Sequence, residues 1–227
     1  MSVIDVVPIV LLAALLGLDV VTFPQAMISR PIVAATAAGA FLGNSAAGLT
    51  IGAVLELIAL GMLPFGASKY PEWGSASVVG GALFASHTGS PPGALAASVL
   101  AALVTALVSG WSMVKLRRVN AFRATRLRAE LDAGSANAIV GLQLFGLTAD
   151  LIRGGLVALA AMLTLGPLVE AIVAVWNSGA VYSQAIVVGI AAVVAAGAMW
   201  KIFHGIPRAA ALFLAGLVIG ITLLVWA

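Results

Sequence analysis

The chain has 227 residues, 63% of them hydrophobic and only 8% charged, with a formal net charge of +3. Soluble domains carry roughly 25% charged residues, so a soluble globular fold is excluded. The sequence holds no cysteine, which excludes disulfides and thiolate metal sites.

The first apolar run, residues 3–21, resembles a signal peptide in length. It lacks a basic start and has Asp5 where positive charge is expected, so it reads as a retained first helix. Asp19 closes this run, and DVVTFPQAMISRPIV follows. Pro24 breaks the chain there. Gln25 offers both hydrogen-bond donors and acceptors. Arg30, just before Pro31, reads as a cation at the membrane edge, with pairing to Glu56 or Glu72 as the alternative.

Residues 31–66 form an apolar stretch too long for one span of about 20 residues. Gly43-Asn44-Ser45 divides it into two short pieces. Gly39 and Gly43, then Gly48 and Gly52, make small-xxx-small pairs suited to close helix packing. Glu56 is the one charged residue between Arg30 and Lys69. On a helix it shares a face with Gly52, so it is expected to point into the bundle. A carboxylate there is a functional candidate; the plainer reading is a protonated Glu bonding two helices.

The segment PFGASKYPEWGSAS, residues 64–77, cannot run as a clean helix, because Pro64 and Pro71 remove backbone donors. Its freed amides and carbonyls need partners. Tyr70 and Trp73 supply flat apolar faces with polar edges, and Glu72 adds a carboxylate. Hydroxyl-accepting carboxylates beside aromatic faces suit a sugar. An interfacial loop with its aromatics in the membrane belt fits the composition equally well.

A short apolar run at 75–87 and a longer one at 93–114 come next. Residues 115–134, KLRRVNAFRATRLRAELDAG, hold six of the eleven basic and two of the eight acidic residues. The basic balance of the chain is therefore local. A nucleic-acid surface is the weaker explanation; the positive-inside rule makes this the main cytoplasmic segment. Leu116, Val119, Phe122 and Leu127 fall near one helical face, which predicts an amphipathic helix on the membrane surface.

Further apolar runs follow at 138–152, 154–176, 183–200 and 209–227. Gln143 lies in the first of them. Asp150 and Arg153 are spaced for a same-face ion pair, read as structural. His87 and His204 are single and far apart, so no metal site and no cofactor is expected. No nucleophile motif or phosphate-cradling loop marks a catalytic residue.

The sequence thus predicts an all-α polytopic membrane protein, a multi-helix bundle with broken or re-entrant helices. It divides into an N-terminal membrane half (1–114), a basic amphipathic cytoplasmic segment (115–134) and a C-terminal membrane half (135–227).

Gln25, Ser29-Arg30-Pro31, GLTIGAVLELIALGMLPFG and Pro71-Glu72 together resemble a known family. The strongest part is G-x-x-x-G-A-x-L-E-L-x-x-L-G-x-x-P-x-G, from Gly48 to Gly66. It is similar to the IIC membrane component of the mannose-type phosphotransferase systems, which include mannose, fructose, sorbose and N-acetylgalactosamine permeases. GLTADLIRGGLVALAAML, GAMWKIFHG and ALFLAGLVIG resemble later helices of that family more weakly.

The resemblance implies a sugar permease component of the bacterial inner membrane that works with a IID membrane partner, the pair forming a trimer of heterodimers. Cytoplasmic IIA and IIB components would carry the phosphoryl groups, so this chain would not itself be an enzyme. By matched position, Glu56, Gly66, Ala67 and Glu72 would lie at the sugar, with Gln25 and Arg30 close by. Two departures are visible. Glu72 stands where Asp is common, and Lys201, His204, Pro207 and Arg208 stand where a more apolar stretch is expected. A proton-coupled solute carrier using Glu56, or a membrane scaffold binding partners through 115–134, are the alternative functions.

Overall fold

The computed structural model describes residues 3–20, 22–61, 70–87 and 89–226. Among these it contains nine helices: α1 (Val3–Asp19), α2 (Pro31–Phe41), α3 (Ser45–Ala59), α4 (Trp73–Ala85), α5 (Ala94–Arg126), α6 (Arg128–Asp132), α7 (Ala136–Ala174), α8 (Ala180–Phe203) and α9 (Ala209–Trp226).

Three of them, α5, α7 and α8, are long and apolar enough to cross a membrane. At about 1.5 Å rise per residue, the 33 residues of α5 and 39 of α7 exceed a hydrocarbon core of about 30 Å. By contrast α2, α3 and α4 have 11, 15 and 13 residues and fall well short of it. These are the broken helices that the sequence predicts.

The break between α2 and α3 has a clear local cause. Gly43 takes a left-handed φ of 73°, which costs glycine little. The Asn44 side chain then accepts from the Ala47 amide at 3.1 Å and caps α3. The resulting hairpin packs backbone to backbone. A Cβ on Gly48 would collide with the Ala35 carbonyl, and one on Gly39 would lie 2.6 Å from the Asn44 carbonyl. Gly52 faces Ile32 in the same way. Gly43 differs from the expected packing role: nothing lies within 4 Å of its Cβ position, so it serves the turn.

α4 is the hub. Every residue from Trp73 to Ala85 is buried, as expected of a helix apolar on all sides. Its small residues admit neighbours closely; a Cβ on Gly81 would sit 2.6 Å from the Ala35 carbonyl, and one on Gly80 would sit 2.8 Å from the Ala102 methyl. Helices α1, α2, α3, α5 and α7 surround it. Trp73 belongs to this core, not to an interfacial belt.

The apolar runs at 138–152 and 154–176 fall largely in one helix, α7, because Arg153 between them stays inside the bundle on polar partners. One expectation from the sequence needs correction. Residues 115–126 continue α5 without interruption, so the charged stretch is the projecting end of a long helix and not a separate surface helix. Arg123 stacks 3.9 Å from the Phe145 ring centroid and ties that end to the start of α7. At the opposite end Gly93, opening α5, lies against the Trp176 indole that follows α7. The two helices therefore run antiparallel. α1 also runs against α7, with Thr22 meeting Asp150 and Ala14 meeting Gly154.

Candidate substrate site

Two polar clusters lie inside this apolar frame. The first forms between the loop after α1 and the end of α3. An Arg30 guanidinium nitrogen bonds Glu56 Oε1, and the Ile32 amide donates to Glu56 Oε2 at 3.3 Å. The Glu56 side chain keeps 19% exposure and that of Arg30 32%. Arg30 is thus the partner of Glu56; the simple anchor reading is overturned. The pairing follows from Pro31, which starts α2 as a favoured first helical residue. It leaves Arg30 just outside, beside the α3 face that carries Gly52 and Glu56.

The second cluster surrounds the first turn of α4. Glu72 is completely buried. Its Oε1 accepts from the Ser75 amide at 3.0 Å, which caps α4. Its Oε2 accepts from the Ser109 hydroxyl of α5 at 2.6 Å. Ser109 Oγ in turn accepts from Arg153 Nη1 at 2.7 Å, and the same nitrogen reaches Ser112 Oγ at 3.2 Å. Arg153 Nε donates to Asp150 Oδ1 at 2.7 Å. Thr22 donates to the other Asp150 oxygen at 2.5 Å. One chain of hydrogen bonds therefore joins α4, α5, α7 and the loop after α1.

Buried charge is tolerated only when paired and bonded, and this network pairs its charges incompletely. Two buried carboxylates face a single guanidinium. Arg153 Nη2 is buried without a hydrogen-bond partner among the described residues. It lies 3.9 Å from the point that a Gly17 Cβ would occupy, as does Glu72 Oε2, while Ser75 Oγ lies 2.6 Å from it. The absence of a side chain at Gly17 is what lets these three polar atoms converge.

The loop at 22–30 bridges the two clusters. Asp19, itself buried, accepts from the Ala26 amide at 2.6 Å and the Ser29 amide at 2.9 Å. This holds the loop in a tight fold with Gln25 and Met27 at positive φ. Gln25 sits exposed on that loop.

Of the predicted site residues, the structure brings Arg30 and Glu56 together, places Glu72 in the second cluster, and puts Gln25 on the connecting loop. Gly66 and Ala67 lie outside the described residues. The sequence reading passed over Ser109, Thr22, Ser75 and Asp19 as site members. Asp150 and Arg153 pair as their spacing predicts, but the pair is built into the Glu72 network. Tyr70 accepts from Arg117 at 2.6 Å, so it ties the broken segment to the basic end of α5.

A family model described as the sorbose-specific IIC component of the phosphotransferase system matches residues 3–194. The fructose permease IIC component of Bacillus subtilis is 30% identical over 150 residues, covering 66% of this chain and 52% of that protein. The chain thus spans about half the length of this curated relative. A solved structure described as a membrane protein superposes with a TM-score of 0.68 at 21% identity, over 99% of this chain and 96% of that one. The cryo-EM structure of the mannose transporter ManYZ with a microcin gives 0.62 at 23% identity, over 96% and 86%. At these identities the two structures speak for the fold. The matched span contains α1 to α7, most of α8 and both polar clusters, and this multi-pass membrane protein belongs to the sorbose-specific IIC family of phosphotransferase-system components.

Proposed function

We propose that the chain moves a hexose or amino sugar across the bacterial inner membrane for phosphorylation by partner proteins. As a IIC component it supplies the permease part; phosphoryl transfer belongs to the cytoplasmic IIA and IIB components. A IID membrane partner completes the pathway, and the pair assembles as a trimer of heterodimers. The solved ManYZ transporter has this chain's fold, which supports a membrane partner of that kind.

The observation that carries the reading is the Glu72 cluster at the start of a fully buried, broken helix. Glu72 takes one hydrogen bond from a hydroxyl, that of Ser109. A sugar hydroxyl can replace Ser109 there without leaving the carboxylate unsatisfied. Arg153 Nη2 then supplies a charged donor for a sugar oxygen. Glu56 and Arg30 form the other edge of the site, with Gln25 on the loop between. Gly66 and Ala67 belong to the same site by their position in the motif.

The site is closed here, so transport requires the frame to shift around it. The Arg30–Glu56 pair is the part to open, since it is partly exposed and held by a loop. The buried Asp150–Arg153 pair behind Glu72 is the fixed part. Phosphorylation on the cytoplasmic side traps the product, because a charged sugar cannot return through an apolar path.

Vesicles holding this chain and its IID partner provide the test. Sugar phosphate should accumulate only when the phosphorylated IIB component is supplied, and Glu72→Gln should weaken sugar binding by at least about tenfold, the loss of a charge-assisted hydrogen bond. Free-sugar uptake that stops when the proton gradient is collapsed would overturn the phosphotransferase reading. Normal binding in both Glu72→Gln and Glu56→Gln would overturn the site.

A further inference from the structure

Helices α8 and α9 are joined by the short turn at 204–208 and do not pack along their lengths beyond it. Trp200 and Phe213 meet near the turn, edge to face with centroids 6.4 Å apart. A groove of about 510 Å³ opens between the helices, lined by Trp200, Phe203, Ile206, Leu212, Phe213 and Leu217. Its wall is almost entirely apolar, and its volume lies within the range of about 300–1,000 Å³ usual for ligand sites.

The turn beside the groove is basic: Lys201 follows Trp200 and Arg208 precedes Ala209, both of which line it. Lys201, His204 and Arg208 are all exposed around the turn. No Asp or Glu occurs anywhere in residues 171–227, so nothing in that stretch neutralises them. The turn also lies at a defined end of the molecule. α7 starts at the basic end of α5, and α8 returns from the far end of α7, so residues 201–208 come back to the side that carries residues 115–134. The positive-inside rule assigns that side to the cytoplasm.

We infer that the α8–α9 groove is a seat for an anionic phospholipid of the cytoplasmic leaflet. An acyl chain fills the apolar cleft, and the headgroup phosphate sits at Lys201 and Arg208. Charge complementarity selects the occupant. Basic pockets between membrane helices on the cytoplasmic side favour anionic headgroups, and an uncharged or purely apolar partner would leave two cations unmatched beside the groove. The family match ends at residue 194, so the basic turn and α9 lie outside the matched region. The inference does not depend on the sugar site.

Trp200 lines the groove and reports on it directly. The full chain is reconstituted in vesicles with either brominated phosphatidylglycerol or brominated phosphatidylcholine as a minor component. The contribution of Trp200 is isolated by difference from Trp200→Phe. Quenching of Trp200 should need about threefold less brominated phosphatidylglycerol than brominated phosphatidylcholine, and the preference should weaken with salt. The double variant Lys201→Gln/Arg208→Asn should erase the preference while leaving total quenching by phosphatidylcholine unchanged; Asn tolerates the left-handed φ of 66° at position 208. Equal quenching by both lipids in the wild-type chain would overturn the headgroup site. No quenching of Trp200 by either lipid would mean that protein, and not lipid, covers the groove, and would overturn the proposal as a whole.

Discussion

Arg153 and Arg30 each hold a carboxylate, but their surroundings differ. Arg153 is 9% exposed and bonds Asp150, Ser109 and Ser112. Removing one partner of such a buried pair costs about 3–5 kcal/mol, because the other charge stays buried alone. Arg153→Met should therefore lower the thermal unfolding midpoint in detergent sharply. The Arg30 side chain is 32% exposed, and water can replace it at Glu56. Arg30→Met should cost about 1 kcal/mol or less in stability yet impair uptake. Equal losses of stability in the two variants would contradict the division into a fixed cluster and an opening one. The Asp150–Arg153 pair was legible from its spacing alone. Ser109 was not, since a serine in an apolar helix gives no sign of which side chain it will meet across the bundle.

At the scale of helices, the α2–α3 hairpin rests on glycine contacts that leave no room for a methyl group. Gly48→Ala would drive a Cβ into the Ala35 carbonyl. Backbone cannot yield as a flexible side chain does, so a loss of about 1–3 kcal/mol is expected. Gly141, on α7, has nothing within 4 Å of its Cβ position, so Gly141→Ala should be near neutral or slightly stabilising. Thermal unfolding of the two variants side by side checks the packing. Similar midpoints would show that the hairpin is looser than described. The break that makes this hairpin was readable, because Gly-Asn-Ser combines a left-handed residue with a helix cap. The helical spacing of Asp150 and Arg153 already implied a helix running through both. What keeps Arg153 inside the bundle was not readable, since its partners include Ser109 of α5, 44 residues away in sequence. Gly43 makes the hairpin break as read, but its pairing with Gly39 as a packing residue fails, because glycine spacing alone does not separate packing from turning.

For the whole molecule, the proposed membrane orientation rests on one charge argument and one set of contacts. The orientation proposed here puts the basic end of α5 in the cytoplasm, on the positive-inside rule. The contacts Arg123–Phe145 and Gly93–Trp176 fix α5 and α7 as antiparallel, and the short link at 175–179 turns α8 back again. Composition alone left the side of the N-terminal helix undecided. Thr22–Asp150 and Ala14–Gly154 tie it to that assignment, since α1 runs against α7 and so begins at the end opposite the basic segment. The chain contains no cysteine, so single introduced thiols can be read without background. Ser135→Cys and Gly205→Cys should react with a membrane-impermeant maleimide only from the cytoplasmic face. Asn177→Cys, in the link between α7 and α8, should react only from the other. Labelling of 135 and 205 from opposite faces would break the antiparallel chain of α7 and α8, and the anionic-lipid seat would lose its leaflet. Labelling of all three on the reversed sides would keep the fold and invert the protein. The sugar would then leave the site away from the cytoplasmic phosphoryl donor, so the transport direction proposed here stands or falls with this one assignment.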